Sequence, residues 1–135
     1  MIAFAVYAKP IPQGSLVPML VKGRPGVRYL KADELYEWRA SVARACPIDA
    51  PEPGAYRVSI TFHIERPKSV KRSMPTVYPD LDKLVRGVLD ALTGRVWADD
   101  AQVCELVASK RYAIGHAGAE IEIERLEPSL VGIWA

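Results

Sequence analysis

Two groups of aspartates are able to do chemistry together. Asp80 and Asp82 are separated by one residue in Pro79-Asp80-Leu81-Asp82, and Asp99 and Asp100 are adjacent after Trp97-Ala98. On an extended chain, residues two apart point the same way with about 6.5–7 Å between Cα atoms, so the first pair can reach one cation. Hard ions such as Mg²⁺ take oxygen ligands and keep several waters, so two or three carboxylates plus a substrate phosphate suffice. Clustered carboxylates repel one another, and a divalent ion relieves that repulsion. Such an ion also acidifies a water and offsets the charge of an in-line displacement at phosphorus. Neighbours on an extended chain face opposite sides, so one of Asp99 and Asp100 is expected as a direct ligand. A turn at Gly94 and a short returning segment would carry it back to the start of the preceding helix.

The bases have a matching distribution. Met1 to Ala32 holds Lys9, Lys22, Arg24, Arg28 and Lys31 with no acid, and Arg66 to Pro79 holds Arg66, Lys68, Lys71 and Arg72 with no acid. Two basic segments beside an acidic cluster suit a polyanion that is gripped by the former and processed at the latter. Phosphodiester hydrolysis fits that division. Solvated surface loops would give the same charge pattern.

The elements that must position these groups follow from periodicity. Leu81, Leu84, Val85, Val88, Leu89 and Leu92 recur at helical spacing, with Asp82, Arg86 and Asp90 beside the stripe. Asp90 lies about 12 Å along the axis from Asp82, too far to share an ion, and is expected to pair with Arg86. Arg86, one turn after Asp82, can alternatively reach a phosphate. Ala32 to Cys46 predicts a first helix with Leu35, Trp38, Val42 and Ala45 on one face. Ile2 to Ala8 and Ala55 to Glu65 predict strands, the second with Tyr56, Val58, Ile60, Phe62 and Ile64 on one face and His63 among the polar residues of the other. Pro10 to Lys31, rich in Pro and Gly, reads as a long irregular loop. Val103 to Ala113 and Ala119 to Leu126 predict two strands joined as a hairpin at Gly115-His116-Ala117-Gly118. Apolar Leu130, Val131, Ile133 and Trp134 near the end would pack on a neighbour. The fold class expected is α/β (α+β), a mixed sheet with two main helices packed on it.

Length and composition bound the rest. The 135 residues, half of them hydrophobic and a quarter charged, suit one folded domain over 1–135 and exclude a disordered chain. No uncharged apolar run approaches the roughly 18 residues that span a bilayer, and the N-terminus lacks the pattern of a secretory signal. No membrane partner and a cytoplasmic setting are expected. Cys46, Cys104 and the two histidines, His63 and His116, are too few and too scattered for a disulfide framework or a zinc site.

The segment PDLDKLVRGVLDALTG, followed by VWADDAQV, resembles the core signature of the RusA family of Holliday junction resolvases, the crossover junction endodeoxyribonucleases. The close match covers Pro79 to Val103. Looser similarity extends to the Pro-rich start, Trp38, the Tyr56 to Glu65 strand and Ser109-Lys110. The resemblance implies a RusA-like fold and a homodimer that binds four-way DNA junctions and cuts opposed strands with Mg²⁺ or Mn²⁺. It also makes a phage or prophage origin natural. By position Asp80, Asp82 and Asp100 match the catalytic carboxylates, and Asp99 the neighbouring acid, a further metal ligand. Arg86 falls where members usually carry a catalytic-site lysine, and Lys83 where they carry asparagine. Lys83 joins Lys22, Arg24, Arg28, Arg66, Lys68, Lys71 and Arg72 as the expected DNA-contacting bases. Two alternatives stay open: a branched-DNA-binding protein of the same fold made weak or inactive by Lys83 and Arg86, and a metal-dependent phosphohydrolase of small nucleotides.

Overall fold

Helices and strands form where the sequence has the matching period. The computed structural model describes residues 1–14, 16–29 and 31–127, with the backbone alone at Leu16, Val17, Arg28 and Tyr29. Leu130, Val131, Ile133 and Trp134 lie outside the described residues. In chain order the elements are strands β1 (Ile2–Val6), β2 (Leu16–Val21) and β3 (Arg24–Tyr29), helix α1 (Ala32–Ala45), strand β4 (Ala55–Ile64), helix α2 (Leu81–Leu92), a 3-10 turn at Asp100–Gln102, and strands β5 (Val103–Tyr112) and β6 (Gly118–Leu126).

The fold is α+β. Four strands form a mixed sheet in the order β1-β6-β4-β5, with β4 parallel to β5 and antiparallel to β6. Val58, Ile60 and Phe62 of β4 and Ile121 and Ile123 of β6 face the helices. With Leu35, Trp38 and Val42 of α1 and Leu84, Val88 and Leu92 of α2, they make one continuous core. The opposite sheet face is polar: His63 bonds Glu120 at 3.1 Å, and Arg57 lies 3.7 Å from Glu105. Period-two alternation in β4 therefore produces one dry and one wet face, as its sequence predicts. Cys46 is buried at the end of α1, and desolvation pushes its thiol above the ordinary value; Cys104 is exposed.

Two expectations fail. β5 and β6 do not form a hairpin, because β4 lies between them. Residues 113–117 step across two inter-strand spacings, about 10 Å, which a short connection reaches easily. The sharp requirement is at Gly118, where a Cβ would collide with the backbone carbonyl of Val6. The span from Pro10 to Lys31 is not an irregular loop either. It contains the β2–β3 hairpin, turning at Lys22 (φ 51°) and Gly23 (φ 77°), the two positive φ values of a primed turn. Pro18 and Pro25 sit in a ribbon that has only outer edges, where a missing N–H breaks no central ladder. Punctuation by Pro and Gly hid the hairpin.

The ends of α2 set the layout. Gly94 N–H bonds Trp97 O at 2.7 Å, Val96 N–H bonds Leu92 O at 3.0 Å, and Trp97 Nε1 donates to Thr93 Oγ1 at 3.1 Å. The segment after Gly94 thus stays tightly coiled at the helix's C-terminal end, with Trp97 fully buried. β5 then runs back along the sheet, and near its end Lys110 bonds the Val77 and Pro79 carbonyls just before α2. Leu84, 0% exposed, lies on the inner stripe of α2 near its start. Leu84→Ala is expected to cost about 2–5 kcal/mol through the cavity it leaves, as read from the shift of a urea unfolding midpoint at unchanged slope.

Candidate active site

Asp80 is the last extended residue before α2 (φ −69°, ψ 135°), and Asp82 lies in the first helical turn. The pair does not lie along one extended segment, as the sequence alone suggested. Instead, both sit at the positive end of a helix dipole, which favours anionic side chains and anions. Asp80 contributes its carbonyl to the helix, accepting from Leu84 N–H at 3.1 Å, while its carboxylate makes no capping bond. Both carboxylates are exposed, and neither has an ion-pair partner among the described residues. Two oxygen ligands free of protein partners fit a hard divalent ion in their chemistry.

The approach to this pair is fixed by a residue whose role sequence reasoning missed. Lys110, on β5, sends its Nζ to the carbonyls of Val77 (2.6 Å) and Pro79 (2.7 Å). Its parity puts it in line with Leu106 and Ala108 on the helix-facing side of the strand. A lysine at an apolar parity position was the available signal. Charge-assisted bonds of this length offset the desolvation of the ammonium, and they leave a positive charge next to Asp80. The basic loop is braced separately. Arg66 donates to Val70 O (3.1 Å) and Arg72 O (2.7 Å) and stacks on Tyr112 with 5.3 Å to the ring centroid. Arg66 therefore shapes the loop, and Lys68, Lys71 and Arg72 are presented exposed. Lys22 and Arg24 are exposed at the hairpin tip, and Arg28 lies on β3.

Asp99 and Asp100 have separate situations. Asp99 caps the 3-10 turn: its Oδ1 accepts from Ala101 N–H at 2.9 Å, while Gln102 Oε1 accepts from Asp99 N–H at 3.2 Å. Gln102 Nε2 reaches across to the carbonyls of Glu52 and Gly54, both at 3.1 Å, pinning the turn to the start of β4. The spacing Asp99-x-x-Gln102 is a capping box, a signal present in the sequence. Asp100 points no bond inward and is exposed. It lies beyond the C-terminal end of α2, and the 12 residues of that helix span about 18 Å. The expected return of this acid to the helix start within one chain does not occur. Among the described residues, no three His, Cys, Asp or Glu side chains sit where they could share an ion.

The remaining positions resolve individually. Asp90 pairs with Arg39 of α1 at 2.7 Å rather than with Arg86. The same guanidinium bonds Gln13 Oε1 at 3.0 Å, so Asp90 ties α2 to α1 and to the N-terminal segment. Arg86 is exposed and has no ion-pair partner among the described residues, one turn past Asp82. Lys83 makes no ion pair with Asp80 or Asp82; its carbonyl accepts from Gln13 N–H at 3.0 Å. Because Lys110 holds the carbonyls of Val77 and Pro79, Lys110→Ala should speed amide exchange at residues 76–78 and 80. Leu92 and Phe62 amides should keep their protection.

The sequence profile described as Endodeoxyribonuclease RusA matches residues 12–124, which contain every element from β2 to β5 and most of β6. The chain is also 30% identical over 125 residues to the uncharacterized protein YqaN of Bacillus subtilis (strain 168), covering 83% of this chain and 88% of that protein. A match of that extent, on a mixed four-stranded sheet with two helices and with an unpaired aspartate pair opening the second helix, places the chain in the RusA endodeoxyribonuclease family.

Proposed function

We propose that this chain, as one catalytic domain over residues 1–135, is a Mg²⁺- or Mn²⁺-dependent endonuclease that resolves four-way DNA junctions as a homodimer in the cytoplasm. The observation that carries this reading is the exposed, unpartnered pair Asp80 and Asp82 at the N-terminus of α2, beside the exposed bases Lys68, Lys71 and Arg72. Asp80, Asp82 and Asp100 would hold the ion; Asp99, already engaged in its cap, keeps the turn that presents Asp100. When bound, such an ion acidifies a water and offsets charge that builds on the phosphate. The chain's own residues do the rest. The bases of the 66–72 loop and the hairpin tip bind the backbone, Arg86 is in reach of a phosphate oxygen at the helix start, and Lys110 fixes the segment on which Asp80 stands.

The distance between the acids bears on the dimer. Ligands of Mg²⁺ lie about 2.0–2.1 Å from the ion, so carboxylates at opposite ends of an 18 Å helix (about 1.5 Å per residue) cannot share one. Two copies related by a two-fold axis bring opposite ends together twice, giving two sites on a substrate that itself has near two-fold symmetry. Asp100 of the partner subunit then completes the Asp80/Asp82 pair.

Three measurements test the reading. Asp82→Asn should abolish Mg²⁺-dependent nicking of a synthetic junction while binding in Ca²⁺ stays within about threefold; full cutting by the variant would remove the mechanism. An Asp82→Asn chain mixed with an Asp100→Asn chain should regain nicking, since one heterodimer site carries wild-type acids, and a site built within one chain would regain none. Replacing Lys68, Lys71 and Arg72 together by Ala should reduce the slope of log affinity against log salt by about three, with the circular dichroism spectrum unchanged.

A further inference from the structure

We propose that the cleft between the start of α1 and the segment entering α2 takes one unstacked base of the DNA strand being cut. This rests on the nuclease reading above and names what receives the nucleotide beside the reacting phosphate.

The cleft has a volume of about 390 Å³, at the small end of ligand sites and suited to a single nucleotide unit rather than a larger group. Four of the chain's 11 prolines line it: Pro10, Pro12, Pro67 and Pro79. Proline fixes its own φ, so walls built from its rings stand before a ligand arrives and lose little freedom when it binds. Pro10, Ile11 and Pro12 are buried and form the closed side. Tyr78, 65% exposed, adds an aromatic ring to the open side. Flat apolar walls with an exposed ring suit the face of a nucleobase, which stacks on aromatic side chains whatever its identity.

The charges at the mouth distinguish this cleft from a phosphate site. Lys9 and Lys31 are matched there by Glu34 and Glu65, all four exposed and without an ion pair among the described residues. Lys31 Nζ lies over the Tyr78 ring, 5.9 Å from its centroid. A phosphate entering the cleft would meet two carboxylates, whereas the 66–72 loop offers it bases alone. The edge of a neutral base carries both donors and acceptors, and ammonium and carboxylate groups together can meet both.

The cleft is fixed to the catalytic end of the molecule. Pro79 lines it and Asp80 is the next residue, its Cα about 3.8 Å further along the chain. On the other side, Gln13 N–H bonds Lys83 O at 3.0 Å and ties the 10–13 segment to the first turn of α2. Cleft and acid pair therefore belong to one structural unit, and a nucleotide whose phosphate meets Asp80 has its base beside Tyr78. In a continuous duplex that base is paired and stacked on both sides, and extracting it is costly. At a branch point the stack is already interrupted, so the cost is lower. The cleft thereby couples cutting to the branched shape of the substrate.

The test uses the full chain in Ca²⁺, where binding is read without cutting. A synthetic junction carrying 5-iododeoxyuridine beside the branch should, on irradiation, cross-link to Tyr78, as mapped by mass spectrometry. Tyr78→Ala should weaken junction binding about fivefold or more, with an unchanged circular dichroism spectrum and unchanged binding to a continuous duplex. Tyr78→Phe, which keeps the ring, should bind as the wild type does. On a junction with an abasic site at the cross-linked position, wild type and Tyr78→Ala should bind equally. Cross-links that map only elsewhere, or a Tyr78→Ala loss that persists on the abasic junction, overturn the base site but leave the Asp82→Asn result, and the nuclease reading with it, intact. An equal loss by Tyr78→Phe overturns stacking on the ring. A chain that cross-links through Tyr78 yet nicks no junction in Mg²⁺ keeps the base site and removes the nuclease reading.

Discussion

The arrangement of the functional end depends on one ammonium group. Lys110 holds the carbonyls of Val77 and Pro79 and so fixes where the chain leaves its basic loop and enters α2. A lysine pointed towards the helix side of a strand is costly unless its donors are met, and two short bonds to carbonyl oxygens meet most of them. Through this contact the end of β5 and the start of α2 become one structural unit. Asp80 inherits its position from a strand that lies far away in sequence.

That link also dictates direction. With its start fixed at Lys110, α2 runs against β5, and the coil at Gly94 to Trp97 closes the opposite end over a fully buried indole. Asp90 and Arg39 hold α2 against α1 along the way. The acids are consequently divided between the two ends of a rigid helix–strand pair. Asp99 and Asp100, adjacent in sequence, divide labour: the first supports the turn and the second is left exposed at its surface.

Much of this was legible in the residues. The stripes of α1 and α2 and the alternation of β4 gave helices and a strand almost to the residue, because burial on one face imposes a period that propensity alone does not. Asp80 and Asp82 stood out as close neighbours in sequence, but the extended-chain spacing expected of them gives way to a helix start. What was not legible depended on long-range order. Whether β6 lies beside β5 or beyond β4 is decided by which neighbour β4 accepts, and no local pattern records that choice. The β2–β3 hairpin was obscured because prolines are tolerated in a two-stranded ribbon. Asp90 was assigned to Arg86 by helical spacing, whereas Arg39, remote in sequence, is nearer in space. The destination of Asp100 turned on whether the chain after Gly94 travels or coils, and Trp97 finding its hydrogen bond at Thr93 made it coil.

The polar face of the sheet has a bearing on how a nucleic acid can approach. Glu120, Glu122 and Glu124 project from β6 in a row on the side turned away from the helices. A duplex is itself densely anionic, and at 0.1 M salt the field of such a row extends about 10 Å into solvent. An approach from that side would meet these carboxylates, whereas one led by the loop of residues 66–72 would meet the exposed Lys68, Lys71 and Arg72. For a polyanionic substrate such a row would act as an orientational filter, favouring encounters that lead with the basic face.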